Sequence, residues 1–219
     1  MQPSHRRCGV SVTRPGNKGA RYLGLLAGIL IAFAASALPA RAQAAVTTQA
    51  AVTTDDIVKR LGGLEATADL TVPALRQRAM ERAKSKADAA PLKRPPVATE
   101  LLKLPRIAFE VRFDPDSSII RPESYQTLGR IADALVRSTL LPYGFLIVGH
   151  TESTGKREYN LTLSQRRADS IRDALVNTFK ISSKRLQSLG LGEEQLQDSA
   201  RPAAPVNQQL EVVAVAKTS

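Results

Sequence analysis

The sequence is poor in the residues on which most catalytic chemistry and covalent stapling depend. Its 219 residues include one cysteine, two histidines, no tryptophan, four tyrosines and five phenylalanines. Cys8 and His5 both lie near the amino terminus, so the chain beyond them has no thiol for a disulfide and His150 as its sole histidine. A metal centre draws three or four ligands from His, Cys and carboxylates, and one histidine is a thin basis for it. His150-Thr151-Glu152 spells H-x-E, the opening of a zinc-deaminase signature, but no P-C-x-x-C can follow. A G-x-S-x-G elbow, a phosphate loop and a sensibly spaced Ser/His/Asp set are also missing. We therefore expect no enzyme, no metal and no cofactor, and His150, at a strand end, reads as a structural side chain bonded through one ring nitrogen.

Negative charge is absent from residues 1–44, which carry six Lys/Arg and no Asp/Glu. Arg6, Arg7, Arg14, Lys18 and Arg21 precede an uncharged stretch, Tyr22 to Ala40, and small residues in ARAQA follow. This three-part layout is that of a secretory signal peptide cleaved after Ala42 or Ala44. The alternative is an uncleaved anchor in the inner membrane, since nineteen uncharged residues just suffice to cross a bilayer. Membrane contact is expected only in that case. Cys8 stands upstream of the apolar run, whereas a lipidated cysteine would follow it.

With the leader removed, the formal charge of +11 falls to 25 basic against 20 acidic side chains, and from Pro105 onward to 15 against 13. That leaves no basic stripe with interleaved aromatics, so nucleic acid is not an expected partner. Residues 45–104 are small, polar and proline-interrupted. Thr54 and Asp55 can cap a helix to Leu61, and Pro73 to Lys86 favours another, but APLKRPPVA forbids regular structure. The segment reads as a flexible tether with marginal helices.

The folded part is expected to begin at Pro105. Ile107, Phe109, Val111 and Phe113 recur every second residue, as in a half-buried strand. Leu128, Ile131, Ala132 and Leu135 make one helical stripe after Pro122. Phe145 to Val148 is uniformly apolar, like an interior strand; a second helix should run from near Arg157 to Phe179, and strands should follow at 186–191 and 210–215. This order implies an α/β (α+β) two-layer sandwich, a mixed four-stranded sheet with helices on one face.

Between Phe145 and that second helix lies HTESTGKREYNLTLSQRRAD. Asn160, Ser164 and Arg167 fall at i, i+4 and i+7, on one stripe. Glu152 follows the carboxyl end of a strand, where open α/β sheets expose ligand sites, and Gly155 permits a tight turn. Acid and base could face a zwitterionic ligand, or could simply pair with each other, and the chemistry alone leaves both open.

RFDPDSSIIRPES, VGHTESTGKREYNLTLSQRRADSIRDAL, SLGLGEE and VNQQLEVV together resemble the OmpA-like carboxyl-terminal domain family, over roughly Leu104 to Ala216. This family includes the peptidoglycan-associated lipoproteins and the periplasmic part of flagellar stator proteins. The resemblance implies a βαβαββ domain, located in the periplasm with association to the outer membrane or cell wall. It implies non-catalytic binding of the peptidoglycan peptide stem, with Arg167 on a diaminopimelate carboxylate and Thr151, Asn160 and Ser164 beside it. Glu152 takes the place of the family's aspartate, and Asn207, Gln208 and Gln209 stand where N-R-R is usual. Partners expected on this resemblance are peptidoglycan and other envelope proteins; the alternative is a degenerate domain that serves protein contacts without wall binding.

Overall fold

The computed structural model describes residues 52–64, 67–68, 70–85 and 94–217, all within one compact unit that spans residues 48–219. The expected leader, residues 1–44, lies outside the described residues. The four strands are β1 (Arg106–Phe109), β2 (Tyr143–His150), β3 (Leu186–Gly192) and β4 (Leu210–Lys217). They stand in the order β1-β4-β2-β3, with β4 antiparallel to both its neighbours and β2 parallel to β3. The expected mixed sheet is therefore present. β1 is shorter than its alternation suggested: after Phe109 the chain leaves the ladder, and Phe113 forms one isolated antiparallel bridge with Ile120.

Four helices accompany the sheet: α1 (Thr54–Leu61), α2 (Val72–Lys84), α3 (Tyr125–Leu135) and α4 (Arg157–Asn177). Pro122 opens a short 3-10 turn before α3, a position that loses nothing by lacking an N–H. Phe145 and Ile147 of β2, with Val212 and Ala214 of β4, join Ile131 and Leu135 of α3 and Ile171 and Leu175 of α4 in one apolar cluster. The intervening Leu146, Val148, Val213 and Val215 enter a second cluster.

That second cluster corrects the expected tether. Val72, Leu75, Ala79 and Ala83 of α2, with Val97, Ala98 and Leu101, pack against the alternate residues of β2 and β4, covering part of the sheet's other face. On the first face, Ile57 and Leu61 of α1 are fully buried. Burying each such side chain contributes about 1.5 to 3 kcal/mol, enough to offset the ordering of short segments that would not persist alone. Capping belongs to Thr53 rather than Thr54: its hydroxyl accepts from the Asp56 amide while the Asp56 carboxylate accepts from the Thr53 amide, closing a reciprocal box. The two-layer sandwich of the later residues thus carries a partial third layer.

At Gly149 and Gly190, helix α4 lies directly against the backbone of β2 and β3. A Cβ at Gly190 would fall 2.3 Å from the backbone nitrogen of Gln165, and one at Gly149 would fall 2.4 Å from the Ser164 carbonyl oxygen. The bare sheet at these points sets the height of the helix that carries Asn160, Ser164 and Arg167.

Candidate functional site

Arg167 rises from α4 toward the turn that follows β1. Its side chain is almost wholly buried, with 6% of the residue exposed. The Nε donates to the Ser117 carbonyl at 3.0 Å, and the guanidinium lies 4.9 Å from the centre of the Phe113 ring. Such stacking suits a planar, weakly hydrated cation. The Gln208 amide satisfies donors and acceptors only with its oxygen toward the guanidinium, where it accepts from Nη1 at 2.6 Å and from Nη2 at 3.3 Å. Burial lowers the Arg167 pKa from the usual arginine value, partly countered by the charges of Asp116 and Glu152 and by Tyr159. Asp116 occupies the left-handed region, φ 50°, at the tip of the turn, and Tyr159 donates from its hydroxyl to the Asp116 carbonyl at 3.5 Å.

Glu152 lies two residues beyond β2 and is half-buried. Its charge favours the ionised form of Arg167, yet among the described residues the two share no direct ion pair. A simple stitch between loop and helix is therefore not what joins them. Gly155 takes φ 82°, the tight turn its sequence position suggested.

The other expected site residues serve the scaffold more than a crevice. The Asn160 amide donates to the carbonyls of Glu152 and Thr154 at 3.3 and 2.9 Å and to Glu193 Oε2 at 2.7 Å. Ser164 donates to the Leu161 carbonyl and accepts from the Gly192 amide, both at 2.8 Å. Among the described residues the buried Thr151 hydroxyl has no hydrogen-bond partner. His150 is buried as a structural residue would be, but the expected single ring bond is not made: Nε2 stands 3.7 Å from Glu211 Oε2, and neither ring nitrogen has a hydrogen-bond partner.

Sequence reasoning missed Glu193 and Glu194, buried to 4% and 2% residual exposure. Arg157 grips Glu194 through Nε at 2.9 Å and Nη2 at 2.8 Å, and Arg94 reaches Glu193 at 3.0 Å and Glu194 at 3.2 Å. Nothing in a pair of adjacent carboxylates marks it as buried before the partner arginines are placed. A groove of about 900 Å³ is lined by Phe109, Arg112, Phe113, Arg121 and Val206 and includes Gln208 and Gln209. Phe113 and Gln208, which touch Arg167, line it, but neither Arg167 nor Glu152 does.

Residues 112–209 match the OmpA family. The sequence is 42% identical over 82 residues to the peptidoglycan-associated lipoprotein of Brucella melitensis, covering 37% of this chain and 47% of that protein. It is 35% identical over 88 residues to outer membrane porin F of Pseudomonas aeruginosa, covering 40% of this chain and 25% of that protein. The chain thus spans between a quarter and a half of these relatives. Among solved structures, the peptidoglycan-associated lipoprotein from Burkholderia pseudomallei is similar at 26% identity and a TM-score of 0.39, over 59% of this chain and 97% of that one. Among the described residues no helix is long and apolar enough to cross a membrane.

Proposed function

We propose that this chain is a non-catalytic anchor of the cell envelope that binds the peptide stem of peptidoglycan. The observation that carries the reading is the buried Arg167 fork, held by Phe113 and Ser117 with acidic Asp116 and Glu152 nearby. A diaminopimelate carboxylate would take the Nη donors in place of the Gln208 oxygen, a charge-assisted contact worth about 1.5 to 3 kcal/mol when shielded. Glu152 would receive the ligand ammonium, with Thr151, Asn160 and Ser164 fixing the loop and helix around it. The name of the Brucella relative, a peptidoglycan-associated lipoprotein, supports the wall as target. Residues 1–44 act on this reading as the export leader, and the folded part works in the periplasm, at the cell wall or outer membrane.

Calorimetry with a diaminopimelate-containing tripeptide tests this, comparing the mature chain with Arg167→Ala. Losing the contact should weaken binding roughly 10- to 150-fold; equal affinity of the two proteins would remove Arg167 from the site. One observation favours a second reading, a protein-contact module with an empty crevice: Gln208 already fills the Arg167 donors. Under that reading neither the native chain nor Glu152→Asp binds the tripeptide.

A further inference from the structure

The buried charges beside the ligand loop come from two separated parts of the chain. Arg94 precedes the family-matched residues, in a segment whose Val97, Ala98 and Leu101 pack on the sheet's second face. Its side chain is 3% exposed and forks across both carboxylates: Nη2 donates to Glu193 Oε1 at 3.0 Å, and Nη1 to Glu194 Oε1 and Oε2 at 3.3 and 3.2 Å. Glu193 passes that contact on. The same Oε1 accepts from the Ser153 hydroxyl at 2.8 Å, and Oε2 accepts from the Asn160 amide at 2.7 Å. Asn160 holds the carbonyls on either side of Ser153, those of Glu152 and Thr154. A chain of direct contacts therefore runs from Arg94 through Glu193 to the loop that carries Glu152.

We propose that Arg94 is a positioning residue for the Glu152 loop, so that the binding unit of this chain starts upstream of its OmpA-family core. The inference rests on the function proposed above for its affinity readout, but not for its structural one. Glu194 has Arg157 as a second cation, bound at 2.8 Å, whereas Arg94 is the only cation paired with Glu193 among the described residues. Without Arg94 the Glu193 carboxylate is a buried charge lacking a counter-ion, and such groups turn toward water rather than stay. Ser153 and Asn160 would then lose their shared acceptor. By linkage, ligand held at Glu152 must in turn strengthen the seating of the Arg94 segment by the same factor.

The test uses the mature chain with Arg94→Ala, Arg94→Lys and Arg76→Ala. Arg76 also ties the upstream residues to the domain, through the Ser188 carbonyl at 3.1 Å, but among the described residues it makes no hydrogen bond or ion pair with Glu193. Two readouts are taken: ligand-free amide exchange across residues 151–160, and affinity for the tripeptide. Arg94→Ala should speed exchange in that loop at least tenfold and weaken the tripeptide about tenfold, Arg94→Lys should fall between, and Arg76→Ala should leave both unchanged. Native exchange in the Arg94→Ala loop would overturn the proposal. If that variant does not fold, Arg94→Met with Glu193→Gln removes one charge of each sign and leaves the Glu194–Arg157 pair; the loop of this double variant should still exchange faster, and native exchange there overturns the idea equally. A native chain that binds no tripeptide would sink the proposed function alone, because the exchange comparison still decides the role of Arg94.

Discussion

Gly190→Ala is the sharpest perturbation of the contact that sets the height of α4. The new methyl would stand 2.3 Å from the Gln165 nitrogen, 2.6 Å from its Cα and 2.7 Å from Ser164 Oγ. Two of these three are backbone atoms, which cannot rotate away. Relief to ordinary contact needs α4 and β3 to part by roughly 1 Å, and the Gly190 amide would then lose its 2.8 Å bond to the Gln165 side chain. Overpacking with a backbone shift costs about 1 to 3 kcal/mol, and the lost bond about 1 more. For a unit of this size that is a fall in Tm of roughly 5 to 15 °C. Two controls separate sterics from glycine's backbone freedom. Gly155→Ala has open space but φ 82°, and should cost only about 1 kcal/mol. Gly129→Ala, inside α3 with its nearest atom a Phe179 ring carbon at 3.6 Å, should be neutral or stabilising by up to about 1 kcal/mol. Differential scanning calorimetry of the three variants settles the point. A Gly190→Ala protein that melts with the native one would refute the argument that bare backbone carries the helix.

Other outcomes follow from the same contacts. Ile57→Ala and Leu75→Ala, each buried to 2% exposure or less, should destabilise by about 2 to 5 kcal/mol in urea titrations, whereas a true tether would tolerate both within about 0.5 kcal/mol. Gln208→Ala frees the Arg167 donors from the amide 2.6 Å away, so tripeptide affinity should rise several-fold; a fall would mean that Gln208 itself contacts the ligand. For Glu211, burial pushes the pKa up, but His150 and Arg106 outweigh it and the net shift is downward. A carboxylate depressed in the folded state contributes stability above its unfolded pKa, roughly 4 to 5, and loses it as pH falls through the lower folded value. The Tm advantage of the native chain over Glu211→Gln should accordingly shrink between pH 6 and pH 3, and parallel melting curves across that range would rule the linkage out.

The later residues were legible because their periodicities are clean. The stripe from Leu128 to Leu135 became α3, and the alternation from Ile107 became β1, which stops at Phe109 rather than running on to Phe113. The third layer is written in the sequence too. A run such as Phe145 to Val148, apolar on both sides of the strand, demands cover on both faces of its sheet. The helices after Pro105 supply one face, and Val72, Leu75, Ala79 and Ala83, spaced by three and four, help supply the other with Val97, Ala98 and Leu101. At the candidate site the stripe Asn160, Ser164, Arg167 was readable from spacing, but spacing cannot say where a polar side chain spends its hydrogen bonds. Asn160 and Ser164 spend theirs on the scaffold, and Gln208, in a place where the family usually has arginine, meets Arg167. Arg94 lay beyond reach because its partners sit 99 and 100 positions away.

The sheet's last strand in chain order occupies an interior place in it. β4, Leu210–Lys217, stands between β1 and β2, which are not paired with each other. Until residues 210–217 arrive, β1 and β2 each keep an open row of backbone donors and acceptors, and neither apolar cluster has its inner wall. Closure of the sheet must therefore wait for a strand far along the chain from β1, and pairing so distant in sequence is slow. Fragments ending before Leu210 would present sticky edges rather than a smaller working domain.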